Sequence, residues 1–263
     1  MIPQRYIEEW KSQAPWPNDA QVEQDLIIAR ALVEMFSDEL LSKSLAFRGG
    51  TALHKLYLKP QVRYSEDIDL VQINSEPINP ILKRIRERLS FLGIKRTVKQ
   101  HIHNNTIIYR FDTEAQPVIN MRLKIEINTR EHFNVLGLKG IPYKIENGWF
   151  SGECVLTGYE LEELLGTKLR ALYQRRKGRD LFDIYWALVN ANVDVERMIH
   201  CYKTYMEHSV GKPPTQKQFL SNMEEKMKDE EFLQDIHFIL KPGAEYNNDE
   251  AWQLVRKDLI EVI

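Results

Sequence analysis

Two aspartates separated by one residue are the most informative chemical feature of this 263-residue sequence. Asp67 and Asp69 are each followed by an apolar residue, Ile68 and Leu70. Side chains alternate between the two faces of a strand, so the pattern predicts a strand with both carboxylates on one face. Close carboxylates repel each other unless a cation lies between them, and Mg²⁺ favours such hard oxygens together with substrate phosphates. The spacing therefore indicates metal-dependent phosphate chemistry.

A pair of glycines precedes the aspartates and supplies the other half of such a site. Residues 45–47 read as a strand, and a short helix is predicted to open at Gly50 and Thr51. Glycines allow main-chain N–H groups to approach a phosphate at the N-terminus of the following helix. The sequence thus places a phosphate at the turn and a metal at the next strand.

A third acidic side chain lies on a later predicted strand. Its odd-numbered residues from Met121 to Ile127 are apolar, and its even-numbered residues from Arg122 to Asn128 are polar. We interpret Glu126, on the polar face, as the third carboxylate of a two-metal site, because two ions about 3.5–4 Å apart need several acidic ligands. The alternative is an ordinary solvent-facing side of an antiparallel sheet.

A lysine and an acidic pair follow near the start of the C-terminal region. Residues 157–160 resemble a capping box that would begin a helix, with Lys168 at the edge of its apolar stripe. After a basic loop, Asp180 has the position of a helix cap. Asp183 is interpreted as a first-turn residue stabilised by the helix dipole.

The order of these motifs resembles the nucleotidyltransferase superfamily that includes DNA polymerase beta and the tRNA CCA-adding enzymes. The match is closer to the AbiEii/AbiGii toxin family, the toxin half of type IV toxin–antitoxin and abortive-infection systems. The resemblance covers roughly residues 45–190. It is carried by Arg48-Gly49-Gly50-Thr51-Ala52-Leu53-x-Lys55, Arg63-x-Ser65-x-Asp67-x-Asp69-Leu70, Lys124-x-Glu126-x-Asn128, and Lys168 with Arg179-Asp180-x-x-Asp183.

The resemblance implies transfer of a nucleotide from an NTP to an acceptor, with the 3′ end of a tRNA as the expected acceptor and a cognate antitoxin as the expected partner. Two Mg²⁺ ions would be held by Asp67, Asp69 and Glu126. The expected nucleotide-binding residues are Arg48, Gly49, Gly50, Thr51, Lys55 and Ser65, although Ser65 would otherwise cap the turn. The expected further catalytic residues are Lys168, which contacts the triphosphate, and Asp180, which orients the lysine or assists the acceptor.

Two other functions stay open at this level. The chain could be a catalytically inactive module that binds nucleotide or RNA and pairs with an antitoxin. It could instead transfer the nucleotide to a protein or a small molecule, since the same site would serve and only the acceptor would differ.

Composition sets further bounds. The net charge of −2 does not by itself favour nucleic acid, but residues 83–99 and 168–179 are strongly basic and could meet RNA or a triphosphate. The alternative for these runs is a solvated helix face. No apolar stretch reaches the roughly 18 residues of a membrane span, and no secretory signal opens the chain, so we expect a cytoplasmic protein. The two cysteines, Cys154 and Cys201, are expected to be reduced thiols.

The predicted fold class is α+β: a nucleotidyltransferase-type mixed sheet flanked by helices and followed by a C-terminal helical bundle. Residues 1–150 would form the nucleotidyltransferase core with an N-terminal helix, and residues 151–263 a helical domain that completes the active-site cleft. Within the core, an amphipathic helix is predicted over residues 19–37, and a second over about 77–92. Strands are predicted over 94–100 and 105–112, and a glycine-rich connection over 129–152.

Overall fold

The structure, a computed structural model, describes residues 2–114 and 116–263. The chain divides into two compact units: the first contains the chain through Leu56 and Tyr64–Tyr159, and the second contains Tyr57–Arg63 and Glu160–Ile263. The predicted boundary at residue 150 falls just before the last strand of the sheet, which belongs to the first unit. That the second unit completes an active-site cleft stays a prediction.

The first unit is built on a seven-stranded mixed sheet of order β3-β4-β5-β2-β1-β7-β6. The strands β2 and β5, and likewise β1 and β7, run parallel, and the remaining neighbours are antiparallel. The predicted α+β class with a mixed sheet is confirmed. The strands are β1 (Leu45–Arg48), β2 (Asp67–Gln72), β3 (Arg96–Gln100), β4 (Asn104–Asp112), β5 (Asn120–Asn128), β6 (Leu138–Ile145) and β7 (Gly152–Tyr159).

Alternation along the central strands decides which face of the sheet carries chemistry. In β2, Ile68 and Leu70 are buried, and in β5 the buried residues are Leu123, Ile125 and Ile127. Each fully buried aliphatic side chain contributes about 1.5–3 kcal/mol. A one-residue slip would send these side chains to solvent, so the alternation fixes the face on which each side chain lies. The polar residues of both strands are therefore held on the opposite face.

Helices flank the sheet in the first unit. The longest, α2 (Asp19–Phe36), begins at Asn18, whose side chain accepts a hydrogen bond from the Ala20 N–H. It matches the helix predicted over residues 19–37. The other helices of this unit are α1 (Gln4–Trp10), α3 (Glu39–Ser44), α4 (Gly49–Ala52), which continues as a π-helix over Leu53–Tyr57, α5 (Asn79–Arg88) and a 3₁₀ turn over Ser90–Leu92.

The second unit is helical, as predicted. In α6, Gly166 allows close packing against α8, because a Cβ there would lie 2.7 Å from the Cβ of Cys201. Both cysteines are free, as expected. The helices are α6 (Leu161–Gln174), α7 (Gly178–Asn190), α8 (Val195–Val210), α9 (Gln216–Lys226), α10 (Glu230–Gln234) and α11 (Asn248–Asp258), with 3₁₀ turns over His237–Ile239 and Ile260–Val262. No helix within the described residues is long and apolar enough to cross a membrane.

Two sequence predictions near the end of the sheet are wrong. The glycine-rich stretch over 129–152 contains strand β6, which pairs with β7 along its whole length. The capping box at 157–160 does not form, since Thr157 lies in β7 and its hydroxyl donates to the Ser42 carbonyl O at 2.8 Å. Helix α6 begins at Leu161 with no side-chain cap. Strand pairing thus outweighs the local helix signal.

Candidate active site

The glycine turn lies against one of the aspartates. Gly49 begins α4 with a φ of +81°, a left-handed conformation that favours glycine, and a Cβ at this position would lie 2.1 Å from Asp69 Oδ2. Both the backbone conformation and the space therefore require glycine. The contact fixes the Asp69 carboxylate beside the first turn of the helical segment.

The hydroxyl groups of Thr51 and Ser65 support the backbone of Asp67. Thr51 Oγ1 lies 2.5 Å from the Asp67 carbonyl O and 2.8 Å from Ser65 Oγ. The carbonyl can only accept, so Thr51 donates to it and accepts from Ser65. The Thr51 side chain is buried. Its hydroxyl therefore supports the Asp67 backbone, and only its main-chain N–H would be available to a phosphate.

The three predicted metal ligands lie on neighbouring strands. Asp67 and Asp69 share a face of β2, and Asp69 is the register partner of Glu126 on the parallel strand β5. Neighbouring strands lie roughly 4.8 Å apart, so these two side chains leave adjacent positions of the sheet. The structure thus brings the three carboxylates onto one face.

A lysine lies among these carboxylates. Lys124, the register partner of Asp67, places its Nζ 2.7 Å from Asp67 Oδ2 and 3.3 Å from Glu126 Oε2. Burial and, to a smaller extent, the charge of Glu126 raise the pKa of Asp67. Their combined effect is larger than that of Lys124, which lowers this pKa. Burial alone would lower the pKa of Lys124, but Asp67 and Glu126 raise it. Two carboxylates, those of Asp67 and Glu126, thus share the one ammonium of Lys124.

The donor chemistry of the carboxylate face fits a divalent cation. Asp67 and Asp69 offer hard oxygens, and a site with excess negative charge attracts a cation. Within residues 2–114 and 116–263, however, no group of three or more His, Cys, Asp or Glu side chains is arranged to hold a metal ion. Lys124 occupies the space between Asp67 and Glu126. Lys124 therefore has to move before a cation can bind between Asp67 and Glu126.

Arg48 is held close to the glycine turn by an acid that the sequence did not single out. Its Nη1 lies 2.6 Å from Oε2 of Glu131, which is buried. Burial lowers the pKa of Arg48, but Glu131, Tyr159 and Asp69 outweigh that effect and raise it. Arg48 is also the register partner of Asp69 across β1 and β2. A fixed positive charge thus adjoins the aspartates.

Lys55 lies elsewhere. Its Nζ is 2.8 Å from Asp25 Oδ1, both side chains are buried, and Trp10 Nε1 donates to the same oxygen at 2.9 Å. An ammonium paired in the interior offers no charge to a phosphate. The structure does not bring Lys55 to the carboxylate face, so its predicted role in nucleotide binding is not favoured.

The two predicted catalytic residues of the second unit form one buried ionic network. Lys168 Nζ lies 3.1 Å from Asp180 Oδ1 and 2.8 Å from Asp183 Oδ2, and both aspartates are fully buried. Arg175 makes a bidentate contact with Asp180, and Arg63 makes one with Asp183. Burial would raise the pKa of Asp180, but Lys168 and Arg175 hold it below its usual value.

This network corrects two interpretations of the sequence. Asp180 lies inside the first turn of α7 and binds side chains, so it is not the helix cap. Asp183, predicted to be only a first-turn residue stabilised by the helix dipole, is instead a central member of the network. Arg63 could have been suspected, since it begins the Asp-x-Asp motif, but only the fold shows that its partner lies 120 residues later.

An Asp-x-Asp strand beside a glycine turn, in a mixed sheet with a third carboxylate on the next strand, defines a protein of the nucleotidyltransferase class. A sequence model of the family described as nucleotidyl transferase AbiEii toxin, type IV toxin–antitoxin system, matches residues 30–257. The chain belongs to this family, and the resemblance seen in the sequence is confirmed.

Comparison with solved structures supports the fold. The chain is similar to MenT4, a nucleotidyltransferase toxin from Mycobacterium tuberculosis H37Rv, with a TM-score of 0.66 and 14% identity over 100% of this chain and 91% of that one. It also matches an antigenic nucleotidyltransferase-like protein from Paracoccidioides brasiliensis, with 16% identity over 74% of this chain and 92% of that one. The TM-score of that match is 0.39. No curated protein matches the chain significantly.

Proposed function

We propose that this chain transfers a nucleoside monophosphate from an NTP to an acceptor hydroxyl, with the 3′ end of a tRNA as the acceptor. The observation that carries the proposal is the grouping of Asp67 and Asp69 on one strand face, with Gly49 pressed against Asp69 and Glu126 beside it. Membership of the nucleotidyltransferase toxin family supports the reaction class. The same membership supports an antitoxin partner, and the proposed substrates place the protein in the cytoplasm.

The proposed roles follow from charge and position. Asp67 and Asp69 would hold Mg²⁺, and Glu126 would serve a second ion. Bound Mg²⁺ would neutralise the triphosphate and stabilise charge on the attacking and leaving oxygens. Main-chain N–H groups of Gly49, Gly50 and Thr51 would bind the β- and γ-phosphates at the start of α4. Position 49 has to be a glycine, because a Cβ there would overlap the Asp69 carboxylate.

Positively charged side chains would balance the rest of the triphosphate. Arg48, anchored by Glu131, lies beside Asp69 in register and is suited to this task. Lys168 is proposed to contact the triphosphate with Asp180 orienting it, a role that requires its ammonium to turn away from the buried Asp183. Ser65 is proposed to act through Thr51, which it contacts, rather than on phosphate directly. In the reaction, the acceptor oxygen bonds to the α-phosphorus, pyrophosphate leaves and the hydroxyl proton passes to solvent.

The direct test is incubation of the purified protein with Mg²⁺ and each α-labelled NTP, separately with total tRNA, a protein pool and a small-molecule pool. We expect label in tRNA. The Asp69→Asn variant should lose at least about 100-fold of this incorporation, as expected when an electrostatic contact to the transition state is removed. Asp112→Asn is the matched control, since Asp112 lies on the same sheet at the exposed end of β4.

Each alternative has its own outcome in this test. Label in the protein or small-molecule pool would replace the proposed acceptor and retain the reaction. Nucleotide that binds without labelling any pool would favour an inactive binding module. Full activity of Asp69→Asn would refute the proposed site.

A further inference from the structure

Lys124 lies on the carboxylate face, and the proposed chemistry assigns it no role. The residues of β5 and β2 that lie opposite each other on this face are Lys124 with Asp67 and Glu126 with Asp69. The ammonium bridges the two strands diagonally, from Asp67 to Glu126. The lysine side chain is about one quarter exposed, so it is able to move toward solvent.

The bridge reduces the repulsion among the carboxylates of this face. Three carboxylates on adjacent positions of two strands repel each other, and like charges on paired strands are destabilising. A lysine ammonium is a compact point charge on a flexible four-carbon stem, so it can neutralise part of this charge and can also withdraw. The arrangement of Asp67, Lys124 and Glu126 has the form of a metal site in which an ammonium takes the place of the cation.

A divalent ion and the ammonium cannot share this space. An ion bound by Asp67 together with Glu126 requires the Lys124 Nζ to leave both oxygens. The free energy of those two contacts is then subtracted from the free energy of metal binding, in the same way that a competing ligand lowers an apparent affinity.

We infer that Lys124 is an internal counter-ion, which holds Asp67 and Glu126 together in the absence of divalent metal and is displaced when metal binds. The inference rests on the proposed function for the identity of the metal as Mg²⁺. It gives Lys124 a positioning role: the lysine keeps the carboxylate face assembled while weakening metal binding by the protein alone.

The test is a titration with Mn²⁺, followed by the electron paramagnetic resonance signal of the free ion, on the full chain without nucleotide. Lys124→Met should bind Mn²⁺ at least about 10-fold more tightly than the unmodified protein, because no cation has to be displaced. Lys124→Arg keeps the charge and should stay within about 3-fold of the unmodified protein, since a guanidinium still pairs with carboxylates. Lys99→Met is the matched control, because Lys99 is exposed on β3 of the same sheet and has no carboxylate partner among the described residues.

Thermal unfolding gives a second readout. Without metal, Lys124→Met should unfold at a lower temperature than the unmodified protein, and saturating Mn²⁺ should raise its Tm by more than it raises that of the unmodified protein. If the Met variant does not fold without metal, Lys124→Gln replaces it in both measurements.

The inference is overturned if Mn²⁺ affinity of the Met or Gln variant is unchanged or weaker, if Lys99→Met changes it equally, or if neither protein binds Mn²⁺. These measurements need no turnover, so their result is separable from that of the labelling experiment. If the protein transfers nucleotide but substitution of Lys124 does not change its Mn²⁺ affinity, only the inference is refuted. A protein with the expected Mn²⁺ difference and no transfer refutes the proposed function alone.

Discussion

Gly49 and Asp69 lie in direct contact, with room for only a hydrogen atom between the Gly49 Cα and the Asp69 carboxylate, since a Cβ would come within 2.1 Å of Oδ2. The glycine turn and the aspartate strand therefore depend on each other for their positions. The glycine is required by its neighbour's side chain as well as by its own backbone conformation.

Gly49→Ala should therefore be more damaging than an ordinary substitution at a left-handed glycine. The backbone alone costs about 1–2 kcal/mol, and the clash must in addition displace Asp69. A misplacement of about 1 Å can cost 100-fold in rate, so we expect at least that loss of nucleotide incorporation. Gly93→Ala is the control, because Gly93 has a φ of +80° but nothing within 4 Å of the added Cβ. Equal stability loss and full activity in both variants would contradict this account.

Lys55→Met separates a structural role from a nucleotide-binding role. The substitution leaves Asp25 buried without its ammonium, and breaking a buried pair costs about 3–5 kcal/mol. We expect a clear fall in the free energy of unfolding and little change in the KM for NTP. Lys43→Met, which breaks an exposed pair with Glu39, should cost less than about 1 kcal/mol. A raised KM with unchanged stability would return Lys55 to the nucleotide site.

The sequence predicted most of what periodicity and short motifs encode. The alternation in β2 and β5 gave both strands and the face that Asp67, Asp69 and Glu126 share. It did not predict side-chain partners that are distant in the chain. These pairs are Arg48 with Glu131, Lys55 with Asp25 and Arg63 with Asp183, separated by 83, 30 and 120 residues. Local patterns carry no information on such pairs, because side-chain partners are set by tertiary packing.

Lys124 shows the same limit at short range. The alternation placed it correctly on the polar face, two residues before Glu126. The position of its ammonium between two proposed metal ligands depends on the register of β5 against β2. Hydrophobic alternation specifies which face of a strand is buried, but not the offset of that strand along its neighbour.

Asp183→Asn tests the buried network of the second unit. The change leaves the Arg63 guanidinium and the Lys168 ammonium with less negative charge in the interior, and the expected cost is about 3–5 kcal/mol. Urea unfolding measures the loss. Glu261→Gln serves as the control, since it removes an exposed pair with Arg256 and should cost less than about 1 kcal/mol. Similar losses in the two variants would show that Asp183 is not a central member of the network.

Lys226 should make the stability of the protein depend on alkaline pH. Its buried ammonium donates to the Leu172 and Tyr173 carbonyl oxygens at the end of α6. Burial lowers the pKa of Lys226 to about 8, from 10.5 in an unstructured chain. Between these two values the unfolded chain binds more protons than the folded one, so the free energy of unfolding rises with pH in this window.

The Lys226→Met variant isolates that effect, because it has no ammonium to titrate. The measured quantity is the difference in free energy of unfolding between the unmodified protein and the variant. It should increase by about 2 kcal/mol from pH 7 to pH 9.5, because in this range Lys226 loses its proton in the folded state and keeps it in the unfolded state. Urea unfolding at both pH values gives the difference, and Lys203→Met, at an exposed position of α8, should show no such change. A difference that stays constant with pH would mean that Lys226 keeps its proton in the folded protein and that its two carbonyl contacts outweigh its burial.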